Sequence, residues 1–260
     1  MSVRTEDIRL WLTDFGNWIR TGNLPEKVWN SLMQLLFPRR CPVCDGIVTP
    51  SGEKICAQCL RKLQPLKAPW CRICGIGLRR EGELCGECRA GRKHFFVRAR
   101  TLYRYQSVSQ AIYRFKYGGR REYGEFFGEE MAEYLGDFAR SIHADGLIPV
   151  PLHPKRLSRR GFNQAAVLAH VLGKKWGIPV YEKLLIRRKN TVPLKALNSK
   201  ERQNNLKKAF HVKENDVKLK TIIMVDDIYT TGATVDEAAR TLLDGGAEKV
   251  YVVTLAGSEE

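Results

Sequence analysis

Residues 221–243, TIIMVDDIYTTGATVDEAARTLL, run from an apolar segment through two acids into a hydroxyl-rich helix start. Ile222, Ile223, Met224 and Val225 show no polar alternation, as expected of a central parallel strand covered on both faces. Asp226 and Asp227 are thereby expected at the carboxyl end of that strand, where open α/β sheets bind ligands. Thr230, Thr231, Gly232, Ala233 and Thr234 follow; then Val235, Ala238, Ala239, Leu242 and Leu243 repeat at helical spacing until Gly245 and Gly246 stop the helix. A hydroxyl-rich turn at a helix N-terminus offers N–H donors, Oγ groups and the positive end of the helix dipole, which together cradle phosphate. The adjacent carboxylates suit a vicinal diol, each accepting a hydroxyl proton, with or without a bridging divalent ion. The plainer alternative is a strand-to-helix joint in which the acids cap the helix and the threonines form the turn. With Gly232 as its only glycine and no Gly-x4-Gly-Lys, the string is neither a P-loop nor a dinucleotide fingerprint.

Upstream, VRARTLYRY (97–105) alternates like a half-buried strand. A helix through Ala111, Ile112 and Phe115 leads to the turn FKYGGR (115–120), and another is expected over 122–142, the group forming a hood over the carboxyl edge of the sheet. GLIPVPLHP (146–154) reads as a core strand ending in a proline-stiffened loop. The free backbone amides of that loop, with Lys155, Arg156, Arg159 and Arg160, are placed to hold pyrophosphate. A crossover helix over 162–177 and a strand over 179–186 follow. Residues 187–208 carry eight basic residues against Glu201 and are expected to form a lid over the phosphates, and 249–255 is expected to be the strand that closes the sheet.

Eight cysteines fall in four Cys-x2-Cys knuckles: Cys41 and Cys44, Cys56 and Cys59, Cys71 and Cys74, Cys85 and Cys88. Two sets of four thiolates select zinc in closed structural sites. Iron–sulfur ligation is the rival, with cysteine spacings that usually differ from these. The knuckles are expected to pair sequentially, and spacing alone leaves a cross-braced pairing open. About fifty residues make a poor core, so two metal sites supply much of the module's folding free energy. Arg79, Arg80, Arg92 and Lys93, with Trp70, Phe95 and Phe96 nearby, give a basic surface with interleaved aromatics. That combination suits single-stranded DNA, whose phosphates take the cations and whose bases stack on rings; a solvated ribbon surface would look similar.

The 260-residue chain carries 44 Lys+Arg against 28 Asp+Glu, a net charge of +16, which attracts polyanions or phosphorylated ligands. It contains no apolar run of the roughly eighteen residues a membrane span needs. Its N-terminus carries acids where a secretion signal has an apolar core, so the expected location is cytoplasmic, with reduced cysteines available for metal. Ile8, Trp11, Leu12, Phe15, Trp18 and Ile19 share one face of an expected helix, followed by a second helix carrying Val28, Leu32, Leu35 and Leu36. The stripe is read as packing on the zinc module or a second copy, with a membrane surface or partner as alternatives. The expected units are N-terminal helices over 1–37, a double zinc-ribbon module over 38–93, and an α/β domain over 94–260.

The pattern of four apolar residues, Asp-Asp, two spacers and Thr-Thr-Gly-x-Thr resembles the 5-phosphoribosyl-1-pyrophosphate (PRPP) loop of type I phosphoribosyltransferases. Taken with the cysteine module, FKYGGR, PVPLHPKRLSRRGFNQA, KERQNNLKKAF and VDDIYTTGAT in that order, the chain over about 36–257 resembles the ComF family of phosphoribosyltransferase-like proteins. The resemblance implies a type I phosphoribosyltransferase fold with a parallel sheet, binding of PRPP with Mg²⁺, and handling of incoming single-stranded DNA in natural transformation, with a competence-machinery protein as possible partner. It implies PRPP contacts at Asp226, Asp227, Thr230, Thr231, Gly232, Ala233 and Thr234, with the pyrophosphate at Pro151, Leu152 and His153. Two departures stand out: two four-cysteine sets where some members keep one, and Leu194 where the lid pattern suggests glutamine. Transfer of the phosphoribosyl group to a nitrogen acceptor is the alternative to a binding role, and no residue is assigned as catalytic.

Overall fold

The computed structural model describes residues 32, 33, 35–50, 52–188, 209–213 and 218–259. Ile8, Trp11, Leu12, Phe15, Trp18, Ile19 and Val28 of the N-terminal stripe and most of the basic lid, including Leu194, lie outside the described residues; Leu32, Leu35 and Leu36 are described and exposed. Four strands, β1 (Ala99–Arg104), β2 (Gly146–Pro149), β5 (Thr221–Tyr229) and β6 (Lys249–Gly257), form one parallel sheet in the order β1-β6-β5-β2. A separate antiparallel pair joins β3 (Leu185–Arg187) to β4 (Phe210–Val212). The run Ile222–Val225 forms the central strand it predicts because both faces are covered. Ile223 and Val225 share a buried cluster with Leu147, Val253 and Leu255, while Ile222 and Met224 share another with Ile148, Val250 and Val252.

Residues 249–255 do not close the sheet: β6 lies between β5 and β1, as suits a strand whose Val250, Val252, Val253 and Leu255 are all fully buried. The edge goes to β1, where Arg100 and Arg104 remain partly exposed. The strand expected over 179–186 reaches the main sheet only through a bridge from Val180 to Leu147, because a turn at Glu182–Leu184 diverts the chain into the small β3–β4 sheet.

The helices between β1 and β2 are α3 (Tyr105–Tyr117), α4 (Tyr123–Tyr134) and α5 (Gly136–Ile142), the last two being the halves of the single helix expected over 122–142. Rather than hooding the edge, α4 buries Phe126, Phe127 and Met131 in the cluster that covers one face of the sheet. It lies close against α7 (Gln164–Trp176): a Cβ on Gly124 would stand 2.3 Å from Val167 Cγ1. The end of α3 reaches the carboxyl edge, where Lys116 pairs with Asp227. The other face carries α8 (Ala233–Asp244), whose Val235, Ala238, Ala239 and Leu242 are buried.

The two ribbons take opposite faces. Cys41 and Cys59, with Val48, Ile55 and Leu63, belong to the cluster of α3, α4 and α7, whereas Cys71, Cys74, Cys85 and Cys88 belong to the cluster of α8. Each ribbon includes a short helix, α1 (Ala57–Lys62) in the first and α2 (Gly86–Arg89) in the second.

Candidate functional site

The acids stand where β5 loses a neighbour. Pairing of β2 with β5 ends at Pro149 opposite Val225, while pairing with β6 continues to Tyr229 opposite Gly257. Asp226 and Asp227 therefore lie within β5 rather than at its tip, on a rim shared with the loop that leaves β2. Burial, then the charge of Asp227, push the Asp226 carboxyl up to about 7, against the opposing pull of Lys116, the Asp227 N–H and Arg187. Asp227 is 8% exposed and pairs with Lys116 Nζ at 2.8 Å. Lys116 has no motif signature of its own; its trace in the sequence is its place in FKYGGR, and α3 carries it to the rim.

Beyond Tyr229 the chain forms the turn read as a phosphate cradle. Gly232 adopts φ 73°, and a Cβ there would fall 2.2 Å from the Tyr229 hydroxyl oxygen, so this position requires glycine twice over. Thr230 is exposed, Thr231 and Thr234 are half-buried, and Ala233 opens α8. Thr231 Oγ1 is buried without a hydrogen-bond partner among the described residues. An orphaned hydroxyl in a hydroxyl-rich turn beside a helix N-terminus fits a phosphate oxygen.

Across the rim, Pro151, Leu152 and His153 are half-buried and lead into α6 (Pro154–Arg160), a short helix where a loop was expected. His153 Nδ1 accepts from the Lys155 N–H at 3.2 Å, so this ring is committed to capping α6. The RRGFNQ string (159–164) is scaffold. Asn163 caps α7 by accepting from the Ala165 N–H at 3.2 Å and donates to Val150 O at 3.1 Å. Gln164, fully buried, donates to Phe115 O at 3.2 Å and accepts from Arg160 Nη1 at 3.0 Å. Arg160 also donates to the Tyr117 hydroxyl at 3.1 Å. Burial raises the Tyr117 phenol, but that bond, with the charges of Arg160, Lys116 and Arg156, holds it below its ordinary value.

Three arginines gather here against their own repulsion. Arg187, assigned from sequence to the lid, is instead the buried last residue of β3, over the Phe210 ring at 5.3 Å; burial and then the Arg156 charge lower it to about 10. Arg156 is likewise lowered by burial and then by Arg160. With Arg187 buried and Arg156 and Arg160 half-buried, a bound anion offsets the repulsion in such a cluster.

The zinc centres pair sequentially. Sγ atoms of Cys41, Cys44, Cys56 and Cys59 lie within 4.8 Å of one another, as do those of Cys71, Cys74, Cys85 and Cys88. A Zn–S bond of about 2.3 Å gives a tetrahedral edge of about 3.8 Å; Cys44–Cys56 at 3.9 Å and Cys74–Cys85 at 3.6 Å bracket it. Both tetrads fit structural zinc. Burial raises Cys41, but the N–H groups of Cys44, Cys56 and Val43 bring it down to about 7. Cys71 is held at about 4 by the Cys74 thiol and, against burial, by the N–H groups of Cys85, Cys74 and Ile73.

The basic face divides. Arg79, Arg80 and Lys93 are exposed. Arg92 differs from the expectation of a surface cation: its side chain is 17% exposed, pairs with Glu87 and lies 3.5 Å from Asp236, because the chain leaving the second ribbon turns inward there. Of the aromatics, Phe95 is 50% exposed, Phe96 is buried, and Trp70 is covered by the Arg100 guanidinium 4.7 Å from its ring centre. No helix among the described residues is long and apolar enough to cross a membrane.

Residues 32–89 match the double zinc ribbon domain and 157–260 the phosphoribosyl transferase domain. Competence protein ComFC of Bacillus subtilis is 32% identical over 214 residues, covering 79% of this chain and 85% of that protein. The chain belongs to the ComF family. Competence protein F of Haemophilus influenzae is 29% identical over 229 residues, covering 86% of this chain and 99% of that protein. DNA utilization protein YhgH of Salmonella typhimurium is 30% identical over 226 residues, with 84% and 96% covered. In this ComF-family chain the two domain matches leave 90–156 between them, the stretch that supplies Lys116, the 151–153 loop and the joint between the second ribbon and the sheet.

Proposed function

We propose that this protein binds PRPP with Mg²⁺ at the β5–α8 turn and handles single-stranded DNA during uptake of DNA by the cell. The observation that carries the reading is one rim with two kinds of group: the acid pair Asp226–Asp227 for the ribose hydroxyls and ion, and the clustered cations Arg156, Arg160 and Arg187 for the phosphates. Thr231 Oγ1 supplies a further donor to phosphate from the turn. Lys116 is paired with Asp227, and a ligand that brings its own divalent cation competes with it there. The names of the relatives, competence proteins and a DNA utilization protein, support the DNA role. Arg79, Arg80 and Lys93 are the exposed cations suited to phosphates, and the single strand is the form that stacks on an exposed ring such as Phe95.

A cytoplasmic location, a protein partner from the competence machinery, and division into units 1–37, 38–93 and 94–260 belong to the same reading. Calorimetric titration of PRPP with and without Mg²⁺ tests the small-molecule site: binding that is absent under both conditions overturns it. Phosphoribosyl transfer is the alternative. The commitment of His153 Nδ1 to a helix cap favours binding over transfer, because it occupies the ring considered as a base. Pyrophosphate release from PRPP with candidate bases or amines would instead establish the enzyme.

A further inference from the structure

The second zinc centre and the β5–α8 turn touch through residues that neither the cysteine pattern nor the PRPP-type string contains. His94 is nearly buried, its side chain 3% exposed. Its Nε2 faces Cys88 Sγ at 3.5 Å, and the Asp236 carboxylate accepts from Nδ1 at 3.0 Å. Asp236 lies in the first turn of α8, where its own N–H donates to Gly232 O at 2.8 Å. Its carboxylate also accepts from the Phe95 N–H at 3.2 Å and lies 3.5 Å from Arg92.

A second line of contact runs beside the first. Phe96 stacks on His94 with ring centres 4.6 Å apart and meets Tyr229 edge-on at 6.3 Å. The Tyr229 hydroxyl fills the space that a Cβ of Gly232 would need. Both the side of the turn at Tyr229 and the start of the helix at Asp236 are thus held by a segment that leaves the second tetrad directly after Cys88. Groups that bond a metal-bound ligand fix its orientation, and here the group doing so also fixes the turn.

We propose that His94 and Asp236 are positioning residues that couple the second zinc centre to the β5–α8 turn, so that filling either site strengthens the other. The identity of the turn's ligand rests on the PRPP reading above; the mechanical link does not. Because coupling between binding sites is reciprocal, zinc at the second centre holds the turn in its ligand-ready form, and a ligand on the turn slows zinc loss from that centre alone.

The test compares the full chain with His94→Ala, with both zinc ions confirmed by elemental analysis. Hydrogen exchange over 230–236 should be faster in the variant. PRPP affinity should fall by a factor within the usual range for coupled sites, about 5- to 150-fold. PRPP should retard chelator extraction of one zinc of the two in the parent chain and of neither in the variant, a readout that loss of packing alone would not move. If His94→Ala does not fold, Asp236→Asn keeps an acceptor for the Phe95 N–H, weakens the bond to His94, and should show the same pattern more mildly. Unchanged exchange and unchanged PRPP affinity overturn the coupling. A parent chain that does not bind PRPP removes the PRPP reading, and exchange then decides: faster in the variant sustains the link, unchanged exchange sinks it.

Discussion

In the first ribbon Cys44 is exposed and Cys56 partly so, whereas in the second all four cysteines are buried. The first shares Cys41, Cys59, Val48, Ile55 and Leu63 with the helix cluster and adds a rim of charge: Arg39 to Glu125 at 2.8 Å, Lys54 to Glu125 at 3.0 Å and to Glu129 at 2.5 Å, with Arg114 donating to Val43 O at 2.8 Å. The second is fastened by backbone and core: the Ala99 N–H donates to Ile73 O at 2.7 Å, and the tetrad shares its buried cluster with Ile222, Met224, Val235 and Leu242. Partly exposed ion pairs contribute little each, about 0 to 1 kcal/mol, while a metal site inside a core stabilises everything packed on it. The same ligand set thus makes one centre that opens to solvent at Cys44 and one that is buried throughout.

Removing one ligand from each centre gives the largest contrast. Cys71→Ser should lose the second zinc and lower the melting temperature of the sheet, since apparent zinc binding in small ribbons is worth on the order of 10 kcal/mol. Cys44→Ser should lose the first zinc and leave the main transition nearer that of the parent chain. Elemental analysis with thermal melting checks both, and equal melting losses would erase the distinction.

The next effect concerns the turn held by the second ribbon. Asp226→Asn with Asp227→Asn should weaken PRPP binding by about 1.5 to 3 kcal/mol for each charged hydrogen bond removed, measured by calorimetry. Asp226→Asn alone also has a pH signature. Because the folded Asp226 carboxyl is raised from 3.8 to about 7, its contribution to stability is complete below pH 4 and is lost as pH rises through 7. The single variant should flatten that decline in melting scans between pH 4 and 8, and an unaltered slope would place the titration elsewhere.

Lys54→Met probes the rim of the first ribbon, where it deletes the pairs to both Glu125 and Glu129; a loss of about 1 kcal/mol in denaturant unfolding, smaller at high salt, is expected. A loss several times larger would make this attachment as integral as the other. The smallest stability change belongs to Arg79→Ala, Arg80→Ala and Lys93→Ala together, which should leave the melting temperature unmoved. If these cations contact single-stranded DNA, the salt dependence of its binding should flatten by about 0.7 in slope per lost contact. Arg92→Ala should do the reverse, lowering stability through Glu87 and Asp236.

What was legible in the sequence is what neighbours in the chain decide. Two sets of four cysteines, the apolar run ending in Asp226 and Asp227, the turn through Gly232 and the helix after it all depend on spacing and local chemistry, and the structure contains each. The tertiary structure decided which distant groups meet. Lys116 reaches Asp227, Arg187 is drawn from the edge of the lid into the cation cluster, and Arg92 turns inward, because packing of α3, β3 and the second ribbon brings them there. β6 became an interior strand because β1, more than a hundred residues earlier, took the edge beside it. The bond from His94 to Asp236 spans 142 positions, and no periodicity or motif records a contact that exists only once the second ribbon packs beside α8.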